Sequence, residues 1–197
     1  MDEPGRPGPA ERGGVDLTDL VIRAQQGDEQ AFANLVVAVG NRLHGVSKRI
    51  LRDVDLAEDA TQQAFLTMWQ ELPKLRDPRK FEAWSYRVLV RACYAEGQKT
   101  RRWAPNLHRL LDPISIGGDE FSSVWDRDQV ERGFRRLSIE HRAVLVLHYY
   151  LEQTPDEIAE TLGVPTGTVR SRLFYAMRSL RAALEADERP RAREAIP

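Results

Sequence analysis

Residues 154–180 constrain the fold of this chain most, because they predict two short helices separated by a tight turn. Thr154 and Glu157 have the spacing of a capping box, in which each side chain accepts a hydrogen bond from the other residue's backbone N–H. Pro155 suits the first helical position, where no N–H donor is needed. Gly163 suits the left-handed conformation that ends many helices, so the first helix is predicted to end just before it.

A second helix is predicted to begin near Thr166, after a turn at Val164 and Pro165. Small Ala159 would let the two helices approach closely, as a helix-turn-helix requires. The apolar stripe of the second helix consists of Val169, Leu173, Met177 and Leu180.

The charges of the two predicted helices differ in sign. The first helix carries Asp156, Glu157 and Glu160, which DNA phosphates would repel. The second carries four arginines and no acid between Thr166 and Arg181. The arginines could be an ordinary solvated surface, but together with the complete turn pattern they favour a helix that enters the major groove.

Composition limits the classes of function. The chain has 197 residues, of which 42% are hydrophobic and 30% charged, and its net charge is −1. Affinity for nucleic acid must therefore come from local segregation of charge. The single cysteine excludes an internal disulfide and a cysteine-rich zinc site, and the four histidines lack ligand spacing. We expect no metal, no cofactor and no enzymatic activity, since no catalytic motif is present.

The remaining pattern predicts an all-α protein with two small helical domains, because apolar residues recur at helical and not at strand spacing. The domains are predicted over 17–103 and 127–186. Residues 1–16 are predicted to be a disordered tail without a signal peptide, and 187–197 a C-terminal tail. No apolar run is long enough to insert in a membrane, so we expect a cytoplasmic protein.

The segment 104–126 is predicted to be a flexible linker, because it contains two prolines, two glycines and four acids against one arginine. We expect this acidic linker to lie against the cationic faces of the two domains. The free protein should then be more compact than the protein bound to polymerase, which should extend the linker.

A second informative stretch runs from Lys74 to Trp103, where aromatic and basic residues alternate. Aromatic rings can stack on unpaired bases while arginine and lysine neutralise the phosphates, so this pattern favours single-stranded DNA. The alternative, that Phe81, Trp84 and Tyr86 belong to the core, is equally consistent with the residues alone.

The helix predicted over Leu56–Leu72 carries a polar ridge of Asp59, Gln62 and Gln63, which could bind a protein partner or be a solvated face. The residues alone favour the solvated face. Asp55 and Glu58 are predicted to cap this helix. Its apolar side consists of Ala60, Ala64, Phe65, Met68, Trp69 and Leu72.

Three stretches together resemble the bacterial RNA polymerase sigma factors of the sigma-70 family, in their extracytoplasmic-function (ECF) group. The stretches are LAEDATQQAFLTMWQELPKL, FEAWSYRVLVRACY and LSIEHRAVLVLHYYLEQTPDEIAETLGVPTGTVRSRL. The resemblance implies that the first domain binds the clamp helices of the polymerase β′ subunit and melts the −10 promoter element. It implies that the second domain reads the −35 element as duplex and meets the β flap, and that an anti-sigma factor is a separate protein.

The resemblance also assigns residues by position. The clamp contact falls on Asp59, Gln62 and Gln63; an acid is commoner at the last of these positions in the family. The −10 contacts fall on Lys74, Arg76, Arg79, Lys80, Trp84, Arg87 and Arg91. The −35 contacts fall on Thr166, Gly167, Thr168, Arg170, Ser171, Arg172 and Tyr175.

One rival interpretation uses the same C-terminal half. A helix-turn-helix transcriptional regulator would carry a helical ligand-sensing N-terminal domain, which needs a pocket and not a basic aromatic helix. Such a regulator would bind its DNA without polymerase.

Overall fold

The computed structural model describes residues 17–103 and 127–194, which include no β-strand. The predicted linker 104–126 and the predicted N-terminal tail 1–16 lie outside the described residues. Eight α-helices occupy the described ranges: α1 Thr18–Gln25, α2 Glu29–Leu51, α3 Val54–Glu71, α4 Phe81–Trp103, α5 Arg127–Arg135, α6 Ile139–Leu145, α7 Pro155–Leu162 and α8 Thr166–Glu194. Two 3₁₀ turns, Leu72–Lys74 and Pro78–Lys80, join α3 to α4, and a π-helical turn, Val146–Tyr150, extends α6. The all-α prediction is confirmed.

Helices α1 to α4 form the first domain, around an apolar stripe of α2. Leu35, Leu43 and Ile50 on this stripe are buried, and each buried side chain of this size contributes about 1.5–3 kcal/mol. Alanines of α3 let it pack closely on α2. The hydroxyls of Ser47 and Thr61 hydrogen-bond each other at 2.9 Å within this contact, so both buried polar groups have partners.

The start of α3 differs from the sequence prediction. Asp53 is the N-cap, and its carboxylate accepts a hydrogen bond from the backbone N–H of Leu56. The prediction of a cap at Asp55 and Glu58 is wrong, because Asp55 already lies within the first helical turn. An acid there still interacts favourably with the helix N-terminus.

Helices α5 to α8 form the second domain, and α7 and α8 make the predicted helix-turn-helix. The capping box is present: the Thr154 N–H donates to Glu157 Oε2 at 2.7 Å, and the Glu157 N–H donates to Thr154 Oγ1 at 3.3 Å. Gly163 has φ of +67°, where a side chain would be strained. Ile158 and Val169 are fully buried in the corner between the helices.

Helix α8 is longer than the sequence indicated. It continues to Glu194, through most of the segment 187–197 that was predicted to be a tail. The alanine, glutamate and arginine residues of this segment are good helix formers, but Pro190 within it is not, so propensity alone does not account for this extension.

The two domains pack against each other through α2 and α4 of the first and α6 and α7 of the second. Ile139, at the start of α6, lies on Gly97 of α4 so closely that a Cβ on Gly97 would overlap its Cδ1. The guanidinium of Arg49 lies 3.7 Å from the centre of the Tyr150 ring. Sequence periodicity predicted the two domains but not this contact.

Candidate nucleic-acid interface

One face of α8 is exposed along its first three turns and carries no acid. Gly167, Arg170 and Ser171 lie on it, and Tyr175 follows one turn later. The Ser171 hydroxyl donates to the Gly167 carbonyl at 2.9 Å, which leaves its lone pairs facing outward. Thr166, Thr168 and Arg172 are half-buried at its edges. The face presents guanidinium, hydroxyl and aromatic groups, which are the groups that read base edges and phosphates in a major groove.

Phe174 belongs to the same face, and sequence reasoning missed it. Its side chain is 63% exposed, and its ring meets the Tyr175 ring edge-on with centres 5.4 Å apart. A large aromatic residue exposed between arginines costs solubility unless a partner covers it. The sequence did indicate this position, because Phe174 lies four residues after Arg170 and therefore on the same side of the helix.

The start of α8 is held to α7 by polar contacts. The Thr166 hydroxyl donates to Asp156 Oδ1 at 2.8 Å. Two of the three acids of α7 are engaged locally: Glu157 completes the capping box of α7, and Asp156 fixes Thr166. The contact between Asp156 and Thr166 positions the N-terminus of α8, which is the end that enters a groove.

The six basic residues predicted to contact the −10 element divide into two groups. Lys74, Arg76, Arg79 and Arg91 are exposed, and Arg79 pairs with Asp77 at 3.0 Å. The Asp77 carboxylate raises the pKa of Arg79, mainly because it accepts a hydrogen bond from the guanidinium. The exposed group forms a cationic surface in the turns before α4 and, at Arg91, in the middle of α4.

The second group, Lys80 and Arg87, contacts the other domain. Lys80 Nζ pairs with Glu160 Oε1 at 2.5 Å, and this hydrogen bond lowers the pKa of the Glu160 carboxyl. Arg87 Nε donates to the Thr161 carbonyl at 2.9 Å, and its Nη2 donates to the Glu160 carbonyl. Two of the seven predicted −10 residues are therefore occupied by the last turn of α7.

The three aromatic residues at the start of α4 are not equivalent. Phe81 and Tyr86 are buried in the core, and burial raises the pKa of the Tyr86 hydroxyl. Trp84 is half-buried with its ring tilted against Phe81 at 6.0 Å between centres. The core interpretation is correct for Phe81 and Tyr86, and only Trp84 keeps a surface that a base could reach.

The polar ridge of α3 borders an open apolar groove of about 550 Å³ between α2 and α3. Asp59, Gln62 and Gln63 are exposed, and Leu66, at the next helical position on this side, is 58% exposed. Trp69, on the predicted apolar side of α3, is 38% exposed, with its ring centre 4.9 Å from that of Phe32. The groove is lined by Glu29, Phe32, Gln62, Phe65, Leu66 and Trp69.

Arg52, at the C-terminus of α2, is a buried charge between the domains. It is 1% exposed, forms an ion pair with Glu131 of α5, and lies 5.9 Å from the Phe134 ring centre. Burial, followed by the neighbouring arginine charges, lowers the pKa of Arg52 to about 10. No local pattern in the sequence predicted this buried pair.

The described residues support neither a metal site nor a membrane span. Within 17–103 and 127–194, no three His, Cys, Asp or Glu side chains are grouped so that they could hold a metal ion. In the same parts of the chain, no helix combines the length and apolar character needed to cross a membrane.

Comparison with known proteins identifies the two domains. Sigma-70 region 2 matches residues 35–103, and Sigma-70 region 4 matches residues 133–182. The ECF RNA polymerase sigma factor SigL of Mycobacterium tuberculosis is 33% identical over 140 residues, which cover 70% of this chain and 79% of SigL. The chain belongs to the sigma-70 family, in its ECF group.

Other relatives agree with this assignment. A sigma factor of Xanthomonas campestris, RfaY, is 31% identical over 169 residues, which cover 82% of this chain but only 42% of RfaY. The sigma factor RpoE of Bartonella quintana, solved in complex with the anti-sigma factor NepR, has a TM-score of 0.58 at 20% identity. That match covers 79% of this chain and 98% of RpoE and shows the fold alone.

As a sigma factor, the protein is a DNA-binding transcription initiation factor that binds RNA polymerase core and promoter DNA. The match of region 2 to residues 35–103 removes the alternative of a ligand-sensing N-terminal domain.

Proposed function

We propose that this sigma factor reads the −35 element with the exposed face of α8 and opens the −10 element with the cationic surface of α4. The acid-free α8 face carries the proposal, because Arg170, Ser171 and Phe174 project together from a helix held by a complete helix-turn-helix. Arg170 can pair with guanine, and the Phe174 ring can contact a thymine methyl group.

On the first domain, Lys74, Arg76, Arg79 and Arg91 neutralise the backbone of the unpaired strand, while Trp84 stacks on one base. Lys80 and Arg87 join this surface when α7 leaves them. The exposed group lies on one helix and the turns before it, so a single strand can follow it.

The α3 ridge contacts the β′ clamp helices. Asp59, Gln62 and Gln63 supply polar groups, and exposed Leu66 beside the apolar groove supplies the apolar centre that protein interfaces require. The second domain meets the β flap. Since the related RpoE was solved with an anti-sigma factor, we propose a separate anti-sigma partner for this chain, acting in the cytoplasm.

The −35 role is tested with Arg170→Ala and duplexes carrying the cognate or a scrambled element, which selection from a random promoter library can supply. A base contact is worth about 1–3 kcal/mol, so affinity for the cognate duplex should fall roughly 5- to 150-fold, with little change on the scrambled one. Equal losses on both duplexes would contradict base reading by Arg170.

The clamp role is tested with Leu66→Glu, whose matched control is Val37→Glu, because Val37 is 81% exposed on α2 and lies outside the groove. Binding to polymerase core should weaken at least about tenfold for Leu66→Glu only, as for a central interface residue. Loss of binding in both variants, or in neither, would exclude this surface.

The −10 role is tested with Arg91→Ala, because Arg91 is exposed. Permanganate reactivity of promoter thymines should decrease while affinity for polymerase core stays unchanged. Unchanged promoter opening would show that this face of α4 does not contact the melted strand.

A further inference from the structure

The segment between α3 and α4 carries part of the proposed −10 surface, and helix α1 packs against both of its 3₁₀ turns. Leu72, which begins the first turn, is fully buried. Lys74 and Arg76 are exposed on either side of half-buried Leu75. The backbone of residues 72–76 therefore determines the direction in which the two cations project.

Gln25, the last residue of α1, binds this backbone at two points. Its Nε2 donates to the Leu72 carbonyl at 3.0 Å and to the Leu75 carbonyl at 2.7 Å. A glutamine amide nitrogen has two hydrogens, so one side chain can hold both carbonyls. Carbonyl oxygens only accept, so the nitrogen and not the oxygen of the amide must face them. The two carbonyls enclose Pro73 and Lys74, and Gln25 thus fixes the chain on both sides of Lys74.

The first 3₁₀ turn has one backbone hydrogen bond of its own to one of these acceptors. The Leu75 N–H donates to the Leu72 carbonyl at 3.0 Å, so this oxygen accepts from the turn and from Gln25. The geometry of a 3₁₀ hydrogen bond is poor, and Pro73 has no N–H that could add another. The position of the turn therefore depends on the bonds from α1.

Helix α1 is itself held firmly in the first domain. Val21 and Ala24 are buried. The Arg23 guanidinium pairs with Asp28 Oδ2 at 2.7 Å. The other carboxylate oxygen of Asp28 caps α2 by accepting from the Ala31 N–H at 2.9 Å. The last turn of α1 is thus joined to the start of α2, and it gives the segment between α3 and α4 a fixed support.

We infer that Gln25 is a positioning residue for promoter opening: its two hydrogen bonds hold Lys74 and Arg76 where they meet the phosphates of the unpaired −10 strand. Gln25 acts through the backbone and not through contact with DNA. This inference rests on the proposed −10 role of the two cations. The sequence gives no indication of it, because 47 residues separate Gln25 from Leu72.

Gln25→Met tests the inference because it removes both donors without changing the charge. Methionine has nearly the length of glutamine and a similar helix propensity. The matched control is Gln30→Met in α2, since the Gln30 amide donates to Asn34 Oδ1 at 3.3 Å, one turn along the same helix. Both variants make the same chemical change, and only Gln25→Met releases the segment between α3 and α4.

The first measurement is hydrogen exchange at the Leu75 amide, followed by NMR in the free full-length protein. The loss of two hydrogen bonds of ordinary net strength shifts a local equilibrium by at least about fivefold. Exchange at Leu75 should therefore accelerate by at least about fivefold in Gln25→Met and keep the wild-type rate in Gln30→Met. This measurement does not depend on any role of the segment in DNA binding.

The second measurement is the salt dependence with which holoenzyme binds a labelled single-stranded oligonucleotide. The oligonucleotide carries the −10 sequence of a promoter that wild-type holoenzyme selects from a random library, on the strand that this holoenzyme binds more tightly. The logarithm of affinity falls with the logarithm of salt concentration, with a slope of about −0.7 for each phosphate contact. Gln25→Met should make the slope shallower by roughly 0.7 to 1.4, which is one or two contacts, although it removes no charge. A merely structural role would lower the fraction of active protein and leave the slope unchanged.

A further variant, Lys74→Ala with Arg76→Ala, separates this inference from the proposed −10 role. It should make the slope shallower by about 1.4, and adding Gln25→Met to it should change the slope no further. If it does so while Gln25→Met keeps either the wild-type exchange rate at Leu75 or the wild-type slope, the positioning role of Gln25 is wrong. A wild-type slope in Lys74→Ala with Arg76→Ala would instead refute the −10 role of the two cations, and the inference with it.

Discussion

The buried pair between Arg52 and Glu131 gives the most direct test of the packing between the two domains. Arg52 lies almost wholly inside the protein, and the Glu131 side chain is 9% exposed. Arg135 also donates to the Glu131 carboxylate at 3.2 Å, and the charge of Arg142 acts on Arg52. Glu131 is thus an acid that offsets the charges of neighbouring arginines, and Glu131→Gln should remove a buried counter-charge of Arg52.

Breaking a buried pair by removing one partner costs about 3–5 kcal/mol. For a chain of this length, each kcal/mol lowers the melting temperature by about 2–4 °C. Glu131→Gln should therefore lower it by roughly 6–20 °C. Arg52→Met with Glu131→Leu should recover most of this loss, because apolar residues of similar volume replace a buried pair at little cost.

The assay is thermal unfolding of the full chain, followed by circular dichroism at low and high salt. The loss for Glu131→Gln should persist at high salt, because buried charges are screened weakly. The matched surface variant is Glu160→Gln, whose ion pair with Lys80 is exposed and should respond to salt. The reasoning is refuted if Glu131→Gln melts with the wild type, since Arg52 would then be hydrated in solution and the domains would not be packed as described.

Three further predictions concern the core, the cysteine and acid stability. Ala159→Leu should overfill the corner between α7 and α8, which should lower the free energy of unfolding by about 1–3 kcal/mol and weaken binding of the −35 duplex. The control Ala182→Leu, on the exposed side of α8, should change neither. Equal melting temperatures of the two variants would contradict the corner packing. Burial raises the pKa of the Cys93 thiol to about 12, so a thiol reagent at mildly alkaline pH should label it only when urea unfolds the chain. The hydrogen bond from the Ala31 N–H, and after it the one from Arg23, lowers the pKa of Asp28. The ionised Asp28 carboxylate therefore stabilises the fold fully above about pH 4, which is its pKa in the unfolded chain. This stabilisation disappears as the pH falls through the pKa of Asp28 in the folded protein. Asp28→Asn should flatten this part of the acid unfolding curve, and an unchanged curve would exclude the effect.

The sequence by itself determined the local structure of the helix-turn-helix. Thr154, Glu157 and Gly163 act through the backbone of their own helix, so their spacing alone specifies where α7 begins and ends. The acid-free face of α8 could also be predicted, because helical periodicity places Arg170 and Ser171 next to Gly167, one turn earlier. The resemblance to sigma factors rests on the same local patterns, and the comparisons confirm it.

The prediction of the α3 cap failed because two candidates lie close together in the sequence. Asp53 and Asp55 can both cap a helix, but Asp53 has the extended backbone of an N-cap and Asp55 already lies in the first helical turn. Trp69 fits the apolar side of α3 by spacing, but α3 has more apolar residues than α2 and α4 cover, so its ring remains at the surface against Phe32. Sequence reasoning did not assign Phe174 to the exposed face, because an aromatic residue on a helix is usually in the core.

Only the tertiary structure decided how the two domains meet. Arg52 and Glu131 are separated by nearly eighty residues, and a polar break such as the one after α2 is usually solvated. Lys80, Arg87 and Glu160 each read as surface charges, because charge patterns along a chain do not specify which distant element will face them. Ionic and packing contacts between remote helices depend on the positions of whole domains, and those positions arise only from the folded chain.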